Sequence, residues 1–280
     1  MSPVRFAKYH GLGNDFVLVD RLEGGEPILP EEAVRLCERR RGIGADGVLT
    51  LLPARGGGAA RMHVTNADGS VAQMCGNGIR CVAKYLADQR GLVADELSID
   101  TDAGLRSCRL MRHAGKVEEV IVDMGRPELE AARIPMRVSP GQRFLQQELS
   151  VPGATIKATA ISMGNPHLVL FDVVEADAPG TLGPVLERHP LFPERTNVEF
   201  AQRLGDGLAV TVWERGAGLT EACGTGACAA MVAAVLEARL PGGEERPVRL
   251  KGGELQVRVE ADLSRVWMRG PARRVFEGEI

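Results

Sequence analysis

Met74-Cys75-Gly76-Asn77-Gly78 and Ala222-Cys223-Gly224-Thr225-Gly226 are the two stretches on which the reading of this chain turns. Each sets a cysteine directly before a Gly-x-Gly turn, and each turn leads into a helical pattern. From Gly76 to Arg90, Ile79, Val82, Ala83 and Leu86 recur on one face, and Gly91 stands where a C-terminal cap belongs. From Gly224 to Leu240 the helix is apolar on almost every side between Ala227 and Val235, as a helix enclosed by protein would be, and Pro241 marks its end. The two cysteines stand 148 positions apart (75 to 223), about half of the 280-residue chain and close to one domain's length. Two similar halves, each a strand-rich shell around a central helix, account for both features.

Around those helices, Arg61–Thr65, Val117–Val122, Ala158–Ser162, His167–Phe171, Leu208–Trp213 and Leu255–Val259 read as strands, β-branched runs bounded by Gly, Pro or Asn. Met124-Gly125-Arg126-Pro127 supplies turn-forming residues after a strand and divides the halves. Gly56-Gly57-Gly58 and Pro241-Gly242-Gly243 read as surface loops inside them. The 34 basic and 37 acidic residues are mixed along the chain, which leaves no electrostatic footprint for nucleic acid. No apolar run reaches the length of a signal peptide core or a membrane span, so a cytoplasmic protein with no membrane partner is expected. Six cysteines in a chain of this size are too sparse for a secreted disulfide framework, and a reducing compartment keeps them as thiols.

A cysteine at a helix N-terminus faces unpaired N–H groups and the positive end of the helix dipole, which favour the thiolate. The same N–H groups can hold a carboxylate, and glycine lets the backbone approach it closely. With one such cysteine per half, two sulfurs can flank one carbon, one removing a proton while the other delivers one to the opposite face. Inversion of a stereocentre follows, with the carbanion stabilised by hydrogen bonds to its carboxylate in a dry site. Cys81 and Cys228 fall inside the helices, and neither forms a C-x-x-C with its neighbour, so no metal is expected. Cys37 and Cys108 read as packing residues. Lys8, Lys84, Lys116, Lys157 and Lys251 are the only lysines, none in a Schiff-base setting, and no organic cofactor is expected.

Six runs in order along the chain resemble the signatures of the diaminopimelate epimerase family. They are Gly11-Leu12-Gly13-Asn14-Asp15-Phe16, Asn66-Ala67-Asp68-Gly69-Ser70, Met74 through Cys81, Gly164-Asn165-Pro166-His167, Thr196-Asn197-Val198-Glu199, and Glu214-Arg215-Gly216 through Gly226. The resemblance implies an α/β (α+β) protein of two pseudo-symmetric domains, each a strand-rich, barrel-like layer around a central helix, with substrate between them. The N-terminal domain would span residues 1–123 and carry Cys75, completed by a last strand around Val266–Val275 within residues 266–280. The C-terminal domain would span 124–265 and carry Cys223. It further implies a small-molecule substrate, LL-2,6-diaminopimelate, epimerised to the meso form used in lysine and peptidoglycan synthesis, and a homodimer. Cys75 resembles the thiolate base and Cys223 the thiol acid, exchanging roles in reverse. Gly76, Asn77, Gly224 and Thr225 belong to the two cysteine turns, and Asn14, Asn66, Asn165 and Asn197 resemble substrate-binding residues able to satisfy a zwitterion without net charge. Arg215 suits the distal carboxylate and Glu214 the distal ammonium. His167 and Glu214 also resemble residues that tune thiol pKa values or relay protons. Gly47 departs from the pattern, standing where many relatives carry glutamine.

Proline racemase-like enzymes, hydroxyproline epimerases and phenazine-biosynthesis isomerases share this implied architecture and remain as alternatives. The first two act on a ring with one carboxylate and have no use for Arg215 and the asparagine set. A thiol-redox or cysteine-hydrolase enzyme leaves the two matched turns unexplained. An amino-acid-binding protein would need neither thiol. If the two sulfurs flank one carbon, oxidation joins Cys75 to Cys223 and silences the enzyme.

Overall fold

Alternating and wholly buried runs lay down strands as the commonest regular structure, and the segments that follow Cys75 and Cys223 become the two long helices. The computed structural model describes residues 4–171, 173 and 175–280. The chain divides into two compact units, residues 1–123 with 269–280, and residues 124–268.

The first unit contains β1 (Arg5–Gly11), β2 (Asn14–Asp20), α1 (Pro30–Cys37), β3 (Gly47–Leu52), β4 (Ala60–Asn66), the short β5 (Val71–Ala72), α2 (Gly76–Asp88), β6 (Glu96–Thr101), β7 (Gly104–His113) and most of β8 (Lys116–Gly125). Leu12 and Gly13 both take positive φ, 56° and 82°, so β1 and β2 close through a two-residue turn whose twist suits a tight hairpin. β2 lies parallel to β3, β3 antiparallel to β4, and β4 parallel to β6. Along β3 every residue is buried, with α1 and α2 packed against the strand.

The second unit contains a 3-10 turn (Ala131–Arg133), β9 (Gln147–Val151), β10 (Ala154–Ser162), β11 (Pro166–Leu170), the short helices α3 (Ala178–Thr181) and α4 (Gly183–Glu187), β12 (Asn197–Leu204), β13 (Gly207–Glu214), the short β14 (Gly218–Leu219), α5 (Gly224–Leu236), β15 (Glu245–Leu250) and β16 (Gly253–Val259). β11 is parallel to β12, β12 antiparallel to β13, and β13 parallel to β15, which repeats the first unit's order strand for strand. The registers coincide as well: Phe16 pairs with Gly47 as His167 pairs with Asn197, and Val48 pairs with Thr65 as Val198 pairs with Trp213. Phe16 therefore answers to His167, Leu49 to Glu199 and Asn66 to Glu214.

Two helix ends and the C-terminus differ from the sequence expectation. α2 stops at Asp88, just before the left-handed Gly91. α5 ends at Leu236 rather than Leu240, because Ala238 turns left-handed (φ 54°) while the Arg239 and Ala238 N–H groups return to the Ala234 and Val235 carbonyls. That motif closes the helix before Pro241 is reached. In place of one strand around Val266–Val275 there are two, β17 (Val266–Pro271) and β18 (Arg273–Glu279). Pro271 has no N–H to continue the ladder. β18 pairs antiparallel with β1, and the tail that joins the first unit begins at Arg269, not Val266.

Candidate active site

Each cysteine caps its helix. Cys75 (φ −137°) and Cys223 (φ −118°) hold extended backbone, and each Sγ accepts a hydrogen bond from the N–H three residues on, Gly78 and Gly226, at 3.4 Å in both cases. Gly76 and Gly224 are the first helical residues, with Asn77 and Thr225 next. The caps match; their surroundings do not. Cys75 is half-buried and Cys223 is buried.

The Thr225 hydroxyl lies 3.4 Å from Cys223 Sγ. Burial pushes the Cys223 thiol well above its ordinary range, and the negative charges of Glu214 and Glu199 push further. Hydrogen bonds from Thr225 and the Gly226 N–H act the other way without cancelling this. The helix dipole alone would favour a thiolate; here desolvation and two carboxylates act against it and favour the thiol form of Cys223. Burial likewise raises Cys37 to about 11, and Cys81 and Cys108 to about 12, which suits inert packing residues.

In the first unit Asn14 and Asn77 are brought to Cys75's helical turn and are bonded to each other, the Asn77 amide donating to Asn14 Oδ1 at 3.0 Å. Asn14 Nδ2 in turn donates to Asp46 (2.9 Å), and Asn77 Oδ1 accepts from the fully buried Arg80 (2.8 Å). Asp46 also joins Arg39 and, through its backbone N–H, Asp15. Asn66 ends β4 and donates to the Ser70 hydroxyl at 2.9 Å. At position 47 the Cβ of any other residue would stand 2.9 Å from the Thr65 carbonyl oxygen, a close approach that glycine avoids.

In the second unit His167 is fully buried, Nδ1 against Glu199 Oε1 at 2.7 Å and Nε2 against Asn165 Oδ1 at 2.9 Å. Asn197 spends both ends of its amide on backbone, donating to the Pro166 carbonyl and accepting from the Arg215 N–H, each at 2.9 Å. It is a brace between β11 and Arg215. Arg215 is exposed, one Nη donating to the Glu194 carbonyl at 3.1 Å. Glu214 is half-buried and accepts from the Thr220 hydroxyl at 2.5 Å.

Sequence reasoning assigned no role to Glu199, Asp46 and Arg80. Glu199 had a visible signal: a carboxylate inside the wholly buried run Asn197–Ala201 has to be paired. Arg80 carried the same signal on the enclosed face of α2. Asp46 had none, since only the folded loop brings it to Asn14.

The fold defines a class. A hydroxyproline epimerase from Agrobacterium vitis, solved with bound trans-4-hydroxy-L-proline, superimposes with a TM-score of 0.73, covering 100% of this chain and 91% of that one at 15% identity. A phenazine biosynthesis protein of the PhzF family from Bacillus anthracis gives 0.71, covering 100% and 99% at 16% identity. At such identities the likeness is of architecture. Sequence carries the assignment further: the model of the diaminopimelate epimerase family matches residues 6–130 and 159–275, and the chain belongs to that family. The diaminopimelate epimerase of a Synechocystis species is 49% identical over 98% of both chains, and that of Pelotomaculum thermopropionicum 48% identical over 99% of this chain and 98% of its own.

Proposed function

We propose that this protein is a pyridoxal-phosphate-independent epimerase that interconverts LL- and meso-2,6-diaminopimelate, with Cys75 and Cys223 as its base and acid. The observation that carries the reading is the pair of cysteine caps, each Sγ held at 3.4 Å by the first turn of its own helix, in a member of this family. In the LL-to-meso direction the Cys75 thiolate takes the α-proton and the Cys223 thiol delivers its own to the opposite face; the return reaction exchanges the roles. The buried, carboxylate-flanked setting of Cys223 suits the resting acid. The positive ends of the two helices would stabilise the charge that develops on the substrate carboxylate. Arg215 and Glu214 would take the distal carboxylate and ammonium, and Asn14, Asn66, Asn77, Asn165 and Asn197 would shape the site, several of them through the braces described above. His167 would act beside the thiols. The protein would work as a cytoplasmic homodimer, with residues 1–123 and the C-terminal strand forming one domain and the intervening segment the other.

α-Proton exchange from LL-diaminopimelate in heavy water, with reductant present, tests this. Exchange with conversion to the meso isomer is expected in the wild type and absent with proline. Cys75→Ser and Cys223→Ser should each lower it by roughly a hundred- to ten-thousandfold, the usual worth of a positioned acid or base. Exchange of proline or hydroxyproline instead would keep the chemistry and overturn the substrate. Without reductant, a Cys75–Cys223 disulfide and reversible inactivation are expected, read by peptide mapping; full activity of oxidised protein would remove that part of the reading.

A further inference from the structure

His167 and Glu199 are an ionisable pair with no exposed side-chain surface on either partner. Burying such a pair carries a desolvation cost that only good geometry offsets. The first unit shows that the layer does not need it, since Phe16 and Leu49 occupy the equivalent register positions on β2 and β3. The helix above reports the same equivalence: a Cβ on Gly78 would meet Leu49 Cδ2 at 2.9 Å, and one on Gly226 would meet Glu199 Oε1 at 2.7 Å. Glycine at 226 thus leaves room for a carboxylate against the first turn of α5, the turn whose N–H holds Cys223 Sγ.

The hydrogen bonds give the pair a defined state. Both ring nitrogens of His167 are engaged, Nδ1 with Glu199 Oε1 and Nε2 with Asn165 Oδ1, so the ring is held in one orientation. The second oxygen, Oε2, is buried with no hydrogen-bond partner among the described residues. Such an unmet acceptor is costly in a purely structural role and is what a site under another demand retains.

We infer that Glu199 is a positioning residue for the Cys223 half of the site, locking the His167 ring through Nδ1 and with it the Asn165 amide and the first turn of α5. This rests on the epimerase reading above. The test uses the full chain under reductant, comparing wild type, Glu199→Gln, Glu199→Leu and the double variant His167→Phe/Glu199→Leu, which copies the first unit. Glu199→Leu should lower kcat by roughly ten- to a hundredfold, as losing the partner that orients a functional histidine does elsewhere. KM should change by less than about threefold, because the loss is confined to the transition state. Glu199→Gln, whose amide N–H can be donated to Nδ1, should recover most of the rate. Imidazole nitrogen shifts of His167 by NMR should move from one defined state to an averaged one in Glu199→Leu. The double variant should melt no lower than Glu199→Leu and remain as slow.

Unchanged kcat, or a slowed enzyme whose His167 nitrogen shifts do not move, overturns the inference. If wild type fails to turn over diaminopimelate, the functional reading falls, and the nitrogen shifts still decide the positioning role. If Glu199→Leu does not fold, the double variant decides: a folded, slow double variant supports the inference, and an unfolded one refutes the equivalence with Phe16 and Leu49.

Discussion

Beneath Cys75 the helix rests on Leu49; beneath Cys223 the same turn of the same topology rests on Glu199. Strand order, register, cap geometry and sulfur-to-nitrogen distance are shared by the two units, yet Cys75 is half-buried whereas Cys223 is enclosed, with Glu214 and Glu199 acting on it. The lesson is that the helix cap places a cysteine, while the burial and carboxylates around it set how readily it ionises.

Exchanging the strand residue should break the asymmetry most severely. Leu49→Glu puts a carboxylate with no histidine partner beneath α2 and is expected to cost about 3–5 kcal/mol, the range for an uncompensated buried charge, read by urea unfolding. A folded variant should also show slower alkylation of Cys75.

Glycine substitutions sharpen the contrast. Gly226→Ala drives a Cβ into a carboxylate pinned by His167, whereas Gly78→Ala meets only the end of a leucine. About 1–3 kcal/mol is expected for the first, the range for overpacking, and less for the second, by thermal unfolding at matched conditions.

Alkylation then reads the thiols directly. At neutral pH, iodoacetamide followed by mass spectrometry should find Cys75 modified at least about tenfold faster than Cys223, the equivalent of one pKa unit. Because folding raises the Cys223 pKa, the stability it contributes is fully present below the ordinary thiol value of 9.0 and is lost as pH climbs from there towards the folded value.

The smallest effect belongs to the first unit's outer network. Burial alone would raise Asp15, but hydrogen bonds from Arg39 and Lys8 and their positive charges hold it below the usual carboxylate range. Its contribution is therefore present above the ordinary carboxylate pKa and lost as pH falls through the lowered one. Arg39 is 58% exposed, so Arg39→Ala should cost less than about 1 kcal/mol in an acid-to-neutral stability series.

Local chemistry made the two candidate thiols legible. Cys75 and Cys223 announced themselves because a cap residue and its Gly-x-Gly turn are adjacent in sequence, and the starts of α2 and α5 fall where those residues put them. Asn14 and Asn197 were legible only as candidates, and their engagement with Asp46, Asn77, Pro166 and Arg215 was not legible at all, because each bond joins residues well apart along the chain.

The sequence by itself determined two helix-capping thiols, the duplicated halves and the strand-rich class, all of which follow from short-range periodicity and turn chemistry. Only the tertiary structure decided that β18 joins β1, that a Schellman turn stops α5 at Leu236, and that Glu199 rather than a leucine lies under Cys223. The first and last of those outcomes depend on which strand pairs with which. Register, burial and the desolvation that sets a thiol's charge are properties of residues made neighbours by folding.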